Sequence, residues 1–168
     1  MKIHIIGTSG SGKTYIAEKL SQRFNLLHLD LDEIFWDNST GEYNIKRLAD
    51  ERNSLLSTVL EKENWVIEGV YYDWLSQSFA EADQIFILQT PARIFNYRVI
   101  KRFIKRKLKL ENGKTGSLKS TIKMIKWANR YQKRNMPEIM KFLEPYSDKV
   151  VIAKSSTTII KQLEKSNL

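Results

Sequence analysis

Residues 7–14 read Gly-Thr-Ser-Gly-Ser-Gly-Lys-Thr, a complete G-x-x-x-x-G-K-[ST] phosphate-binding loop. Few short patterns restrict a fold so tightly, because this one works only between a strand and a helix. Both flanks are present. Lys2-Ile3-His4-Ile5-Ile6 is a short apolar, β-branched strand, and Tyr15 to Phe24 is a helix with Ile16, Leu20 and Phe24 on one stripe. The glycines let successive backbone N–H groups curl around a phosphate, and the helix N-terminus adds its dipole. Gly7, Thr8, Ser9, Gly10, Ser11, Gly12, Lys13, Thr14 and the following Tyr15 form the expected nucleotide-binding set. Lys13 supplies a point charge to the β- and γ-phosphates, and the Thr14 hydroxyl is the expected Mg²⁺ ligand.

At 168 residues the chain has the size of one domain with a full core. No apolar run approaches bilayer-spanning length, and the first residues read as strand and loop rather than a signal peptide. No membrane partner is expected. The absence of cysteine excludes disulfides and thiolate metal sites, and a cytoplasmic location is the expectation. Charge is unevenly spread. Residues 91–141 hold sixteen Lys and Arg against Glu111 and Glu138, a net of +14, whereas the rest of the chain carries −5. The basic excess therefore lies in one segment, facing an anion or solvent.

Strand-like runs alternate with helical ones. Leu26 to Leu29 reads as a second strand running on to Asp30-Leu31-Asp32, and Ile45 to Glu61 as a helix. Trp65-Val66-Ile67, closed by Glu68-Gly69, is a third strand, Ile85 to Leu88 a fourth and Val150 to Ile152 a fifth, before a last helix. Short continuous apolar strands separated by helices describe a parallel sheet covered on both faces, a three-layer α/β architecture. Between strands four and five lies a long helical stretch, Ala92 to Leu110 and Leu118 to Leu143, broken by a glycine-containing turn at Glu111–Ser117. Two helices inserted there look like a lid over a single domain spanning 1–168, the insertion covering about 92–143. Lids in phosphoryl-transfer enzymes exclude water so that the acceptor receives the phosphoryl group.

Arg98, Arg102, Lys105 or Arg106, and Lys109 recur at helical spacing, and the second arm offers Arg130, Lys133 and Arg134. Arginines closing from a lid neutralise charge on transferring phosphoryl oxygens, so Arg98, Arg102, Arg130 and Arg134 are the candidates for that work. A solvated face is the bland reading, and it suits Lys105 to Lys109 better. Asp30 and Asp32 stand at the C-terminal edge of strand two, where an open α/β sheet places its ligands. A carboxylate there accepts the proton of a substrate hydroxyl. Only one of the two is expected to point into the cleft, with Asp32 preferred. Glu68 ends strand three, where a carboxylate holding a metal-bound water belongs. Phe35, Trp36, Tyr71, Tyr72 and Trp74 crowd the same edge, as a ring-binding wall or as packing. His4 is expected to be structural, and neither it nor His28 belongs to a metal cluster.

These residues carry a family resemblance. Gly7–Thr14, Leu31 to Trp36, Trp65 to Tyr71, Tyr97 to Arg102 and Trp127 to Pro137 resemble the bacterial "DNA topology modulation protein" family, adenylate-kinase-like phosphate-loop proteins, over nearly the whole chain. The resemblance implies the nucleoside-monophosphate-kinase fold, a five-stranded parallel sheet ordered 2-3-1-4-5, with ATP and Mg²⁺ as cofactors. It carries Asp32, not Asp30, onto the family's aspartate, and Glu68 onto its acidic strand-three position. Two departures stand out. The family commonly has Gly-Asn-Tyr after that acid, where this chain has Gly69-Val70-Tyr71. Related nucleotide kinases carry an arginine shortly after the glycine, where Val70, Tyr71 and Tyr72 stand here.

The expectation is a kinase that transfers the γ-phosphoryl group of ATP to the hydroxyl or phosphate of a small molecule or nucleotide. Asp32 and the missing arginine lean toward a hydroxyl; Lys46, Arg47 and Arg52, read as lying on the second helix, could serve a nucleotide phosphate instead. The alternative is a nucleotide-switched, nucleic-acid-binding regulator, motivated by the +14 segment with Trp127 and Tyr131 among its bases. No Asn-Lys-x-Asp guanine-reading motif occurs, which argues against a GTPase.

Overall fold

A computed structural model describes residues 1–37, 45–110 and 116–166. The elements run β1 (Lys2–Gly7), α1 (Lys13–Phe24), β2 (Leu27–Asp30), α2 (Leu31–Phe35), α3 (Ala49–Leu60), β3 (Trp65–Gly69), α4 (Ser76–Glu81), β4 (Gln84–Leu88), α5 (Ala92–Lys107) and α6 (Leu118–Arg130). A π-helical turn (Tyr131–Asn135), α7 (Met136–Phe142), a 3-10 turn (Glu144–Lys149), β5 (Val150–Ala153) and α8 (Ser156–Ser166) complete them. All strand pairs are parallel, in the order β2-β3-β1-β4-β5, as the sequence and its resemblance predict.

The strands read as continuous apolar runs because both sheet faces are covered. Ile3, Ile5, Val66, Phe86 and Leu88 point to one face and meet Ile16, Ala17 and Leu20 of α1 and Ile159 and Leu163 of α8. Ile6, Leu29, Ile67, Ile85 and Ile87 point to the other, against Leu56, Phe79, Met136 and Ile139 from the helices there. His4 alternates onto this second face. It is fully buried, packs its ring 4.4 Å from that of Phe79, and shares a 2.7 Å hydrogen bond between Nδ1 and Ser78 Oγ. Burial pushes its pKa down to about 3, so it is a neutral core residue.

Three boundaries differ from the sequence reading. The chain leaves β2 at Asp30 and turns at once into α2, so Asp32 is helical, not extended. Asp30 caps that helix, its Oδ1 accepting from the Asp32 amide at 2.9 Å. The second helix starts at Ala49, not Ile45. Lys46 instead forms a β-bridge with Trp36, so Lys46 and Arg47 precede the helix on which they were placed. The helical stretch from Leu118 is not one regular helix, since the π-turn at Tyr131–Asn135 inserts a wider turn before Pro137. Residues 111–115 of the expected turn lie outside the described residues. Ser117 caps α6, its Oγ accepting from the Ser120 amide at 3.1 Å. Among the described residues no helix is long and apolar enough to cross a membrane.

Candidate functional site

The loop after β1 takes the conformation its glycines permit. Gly10 and Gly12 have φ of +78° and +103°, left-handed backbone that side chains rarely adopt. A Cβ at Gly10 would come within 2.9 Å of the Phe95 carbonyl oxygen, and one at Gly12 within 3.0 Å of Arg98 Nη1. Gly12 leads directly into α1, whose first residues are Lys13 and Thr14. The loop is braced from three sides. Thr90 Oγ1 donates to the Ser11 carbonyl at 3.1 Å, Arg98 Nη1 donates to the same oxygen at 2.7 Å, and Thr8 Oγ1 donates to the Ala128 carbonyl at 3.3 Å.

Lys13 is nearly buried. Its Nζ donates to the Thr8 carbonyl at 3.3 Å and stands 3.8 Å from Glu68 Oε2. The Thr14 hydroxyl donates to Glu68 Oε1 at 2.5 Å. Parallel pairing of β3 with both β1 and β2 brings the three together, placing Glu68 beside Ile5 on one side and Asp30 on the other. Burial pushes the Glu68 carboxyl up to about 7, against the pull of Lys13 and with the push of Asp30. Asp30 is raised as well, chiefly by burial, although the Asp32 amide favours its anion.

A cleft of about 730 Å³ runs from this loop along the C-terminal edge of the sheet. Ser9, Gly10, Lys13, Thr14 and Glu68 line one end. Asp30, next to Glu68, continues it toward Asp32, Phe35, Trp36, Lys46 and Tyr71, and Arg102, Lys123, Met124 and Trp127 of α5 and α6 complete the lining. Both aspartates therefore face the cleft. The expectation that only one of them would do so fails: residues i and i+2 of a strand share a face, and the turn into α2 at Leu31 keeps both carboxyls on the cleft side. Tyr71 donates its hydroxyl to Asp32 Oδ1 at 2.7 Å, and its ring stacks on Phe35 at 4.2 Å. Burial, then this bond, raises the Tyr71 pKa, so the hydroxyl keeps its proton. Tyr72 and Trp74 turn elsewhere: Tyr72 donates to Glu138 Oε2 at 2.8 Å, and Trp74 carries the Arg52 guanidinium 3.9 Å above its ring centroid.

The four arginines separate. Arg102 lines the cleft. Arg98 holds the loop carbonyls and, with Arg102 and Tyr15, lines a second recess of about 220 Å³ on the outer side of the loop. Arg130 and Arg134 are exposed and line neither space. Lys46, one of three cations offered for an acceptor phosphate, lines the cleft, whereas Lys123 and the Tyr71–Asp32 bond escaped sequence reading as members of it. Lys123 shares a helical face with Trp127, which was the available signal.

These residues suit a nucleoside triphosphate with a divalent cation. The cradle is glycine-shaped, Ser11 Oγ is buried with no protein partner, and Thr14 and Glu68 offer a hydroxyl and a carboxylate side by side. Among the described residues no cluster of three or more His, Cys, Asp or Glu is arranged to hold a metal. A cation here would thus lean on phosphate oxygens and water, as Mg²⁺ does.

Comparison with known proteins agrees with this geometry. The chain is 29% identical over 143 residues to "Uncharacterized protein YqaC" of Bacillus subtilis (strain 168), covering 80% of this chain and 74% of that one. Among solved structures, a gluconokinase from Sinorhizobium meliloti 1021 superposes with a TM-score of 0.56 at 13% identity, over 95% of this chain and 87% of the other. Shikimate kinase from Aquifex aeolicus vf5 gives 0.53 at 19% identity, over 99% and 98%. At such identities the likeness is one of fold, that of the P-loop kinases. A family profile described as "AAA domain" matches residues 3–119, from β1 through the loop, both aspartates, Glu68 and α5, and so the chain belongs to the AAA domain family.

Proposed function

We propose that this protein is an ATP-dependent small-molecule kinase. The observation that carries the reading is the single cleft lined by Lys13, Thr14 and Glu68 at the loop and by Asp32 at the other end. When bound, Mg-ATP supplies the transferable γ-phosphoryl group with part of its charge already neutralised. Lys13 would give its ammonium to the phosphates, and Thr14 and Glu68 would hold the cation. The outer recess beside Tyr15 and Arg98 takes the nucleoside half. Asp32, at the opposite end, accepts the proton of the acceptor. Arg102 and Lys123 lie above the path between them and offset charge during transfer. Helices α5 to α7, about residues 92–143, act as the lid of a one-domain enzyme. Arg130 and Arg134 would join the site only in a conformation that brings them inward. The topology-modulation resemblance fits this reading as an adenylate-kinase-like relative. The two superposing structures are named as kinases for gluconate and shikimate, which supports a small-molecule acceptor.

The test is ADP release from Mg-ATP by wild type and Lys13→Ala, with and without pooled acceptors. Release that one pool stimulates, and that falls at least about a hundredfold in Lys13→Ala, is expected. Absence of stimulation by any pool, with ATP still bound, would reject the kinase and favour the nucleotide-switched regulator.

A further inference from the structure

The charges at the acceptor end decide between the two acceptor chemistries that a kinase of this fold could serve. A phosphate on an acceptor needs a cationic fork, because an isolated dianion is costly to desolvate. Three cations, Lys46 and Arg47 before α3 and Arg52 in its first turns, could form one, and the structure separates them. Arg47 is turned away, its Nε donating to the Ile34 carbonyl at 3.2 Å and its Nη2 standing 3.9 Å from Asp37 Oδ1. Arg52 lies flat on Trp74 at 3.9 Å and donates to Asn53 Oδ1 at 3.5 Å, outside the cleft lining. Of the three, Lys46 is the one that lines the cleft, its Nζ 5.6 Å from the Phe35 ring centroid; the Arg52 guanidinium lies 5.9 Å from the same centroid but lines no part of the cleft.

The neighbouring sequence adds no further cation. Residues 38–44 contain no Lys or Arg, and Val70-Tyr71-Tyr72 follow β3 where a second fork would stand. Against the ammonium groups of Lys46 and, on α6, Lys123 stand the carboxyls of Asp30 and Asp32, and Tyr71 donates to Asp32 Oδ1. Arg102 belongs to the loop: its Nη2 meets Met124 Sδ at 3.7 Å, the sulfur that receives the Ser9 hydroxyl contact at 3.6 Å, and it lines the recess beside Gly10, Gly12 and Tyr15. Like charges a few ångströms apart repel more strongly in a partly dry cleft than in water. A phosphate dianion is thus disfavoured where the acceptor must sit.

Resting on the kinase reading, we infer that the acceptor is a hydroxylated compound that carries no phosphate: a sugar, polyol or nucleoside rather than a nucleotide or sugar phosphate. In the transfer, the acceptor oxygen forms a bond to the γ-phosphorus as the bond to the β,γ-bridging oxygen breaks. ADP leaves, and the hydroxyl proton passes to the Asp32 carboxylate. Lys46 and the Phe35 and Trp36 rings provide the remaining contacts to a neutral or singly charged ring.

The experiment sets two matched pools side by side with full-length protein and Mg-ATP. One holds nucleosides, free sugars and polyols; the other holds the corresponding monophosphates. Lys13→Ala gives the background. Stimulation of ADP release by the first pool, at least tenfold above the second, is expected. Stimulation by the monophosphates instead would overturn the inference while leaving the kinase reading intact. No stimulation by either pool would remove the kinase reading, and the inference with it. Arg52→Gln, assayed with whichever pool works, separates the cases again. An acceptor KM within twofold of wild type is expected, and a tenfold rise confined to phosphorylated acceptors would place a phosphate fork here.

Discussion

At the level of single residues, two buried titratable groups pull stability in opposite directions with pH. His4 has its pKa lowered to about 3, so its contribution is present above the unfolded value near 6.5 and is lost as pH falls toward 3. Glu68 is raised to about 7, so its contribution is present below the usual carboxylate range and is lost as pH rises through 7. Wild-type stability therefore hides both slopes, and single variants expose them. Urea midpoints between pH 7 and 4 should fall less steeply in His4→Asn than in wild type. In ligand-free Glu68→Gln the decline from pH 5 to 8 should shrink. An unchanged slope in either variant would contradict the corresponding burial. Gly69 gives a second residue-level test. A Cβ there would meet Leu31 Cδ1 at 2.7 Å and Leu31 Cβ at 2.9 Å, so Gly69→Ala should cost roughly 1–3 kcal/mol in urea denaturation. Leu31→Val in the same chain should recover part of that loss.

At the level of elements, the π-turn sets the phase between α6 and α7. Upstream, α6 is tied by the Thr8–Ala128 bond, and within the turn Tyr131 donates to the Val70 carbonyl at 2.7 Å. Downstream, Met136 and Ile139 are buried in the core. Deleting Gln132 would restore a regular helix and rotate one side against the other by about 100°. The anchors cannot all survive, and a loss of about 2 kcal/mol or more is expected in equilibrium unfolding; a neutral deletion would show that the turn carries no strain-bearing role. The same turn explains which parts of the site the sequence made legible. The loop was readable because glycine, lysine and threonine at fixed spacing specify backbone shape directly. The five strands were readable because each is a continuous apolar run. Asp32 in a helix was not, since α2 has only five residues and its cap, Asp30, doubles as a strand end. Arg130 and Arg134 pair well at i, i+4 on paper. Which side of a helix faces the cleft is set by packing at Ala128 and Tyr131, and no charge pattern reveals it.

At the level of the molecule, charge and topology make different demands. Among the described residues of the basic segment, the cations sit mostly on α5, α6 and the turn that follows, with the apolar Tyr97, Ile100 and Ile104 exposed between the cations of α5. Any retention of nucleic acid by this surface should be blind to sequence and should fall about a thousandfold or more between 50 and 200 mM salt, if several phosphates are contacted. Fluorescence anisotropy with unrelated oligonucleotides reads this directly, and a sequence preference that survives high salt would argue for true recognition. The sheet order has a consequence for synthesis. β1 is synthesised before both of its neighbours, yet it is the middle strand of the sheet, flanked by β3 and β4. A nascent chain therefore holds Lys2–Gly7 without a strand partner until Gly69 has emerged and with one open edge until Leu88 follows, and Thr8 waits for Ala128. The phosphate binding proposed for this loop is thus acquired late, and partial products stalled before α5 and α6 expose apolar surface for chaperones to shield.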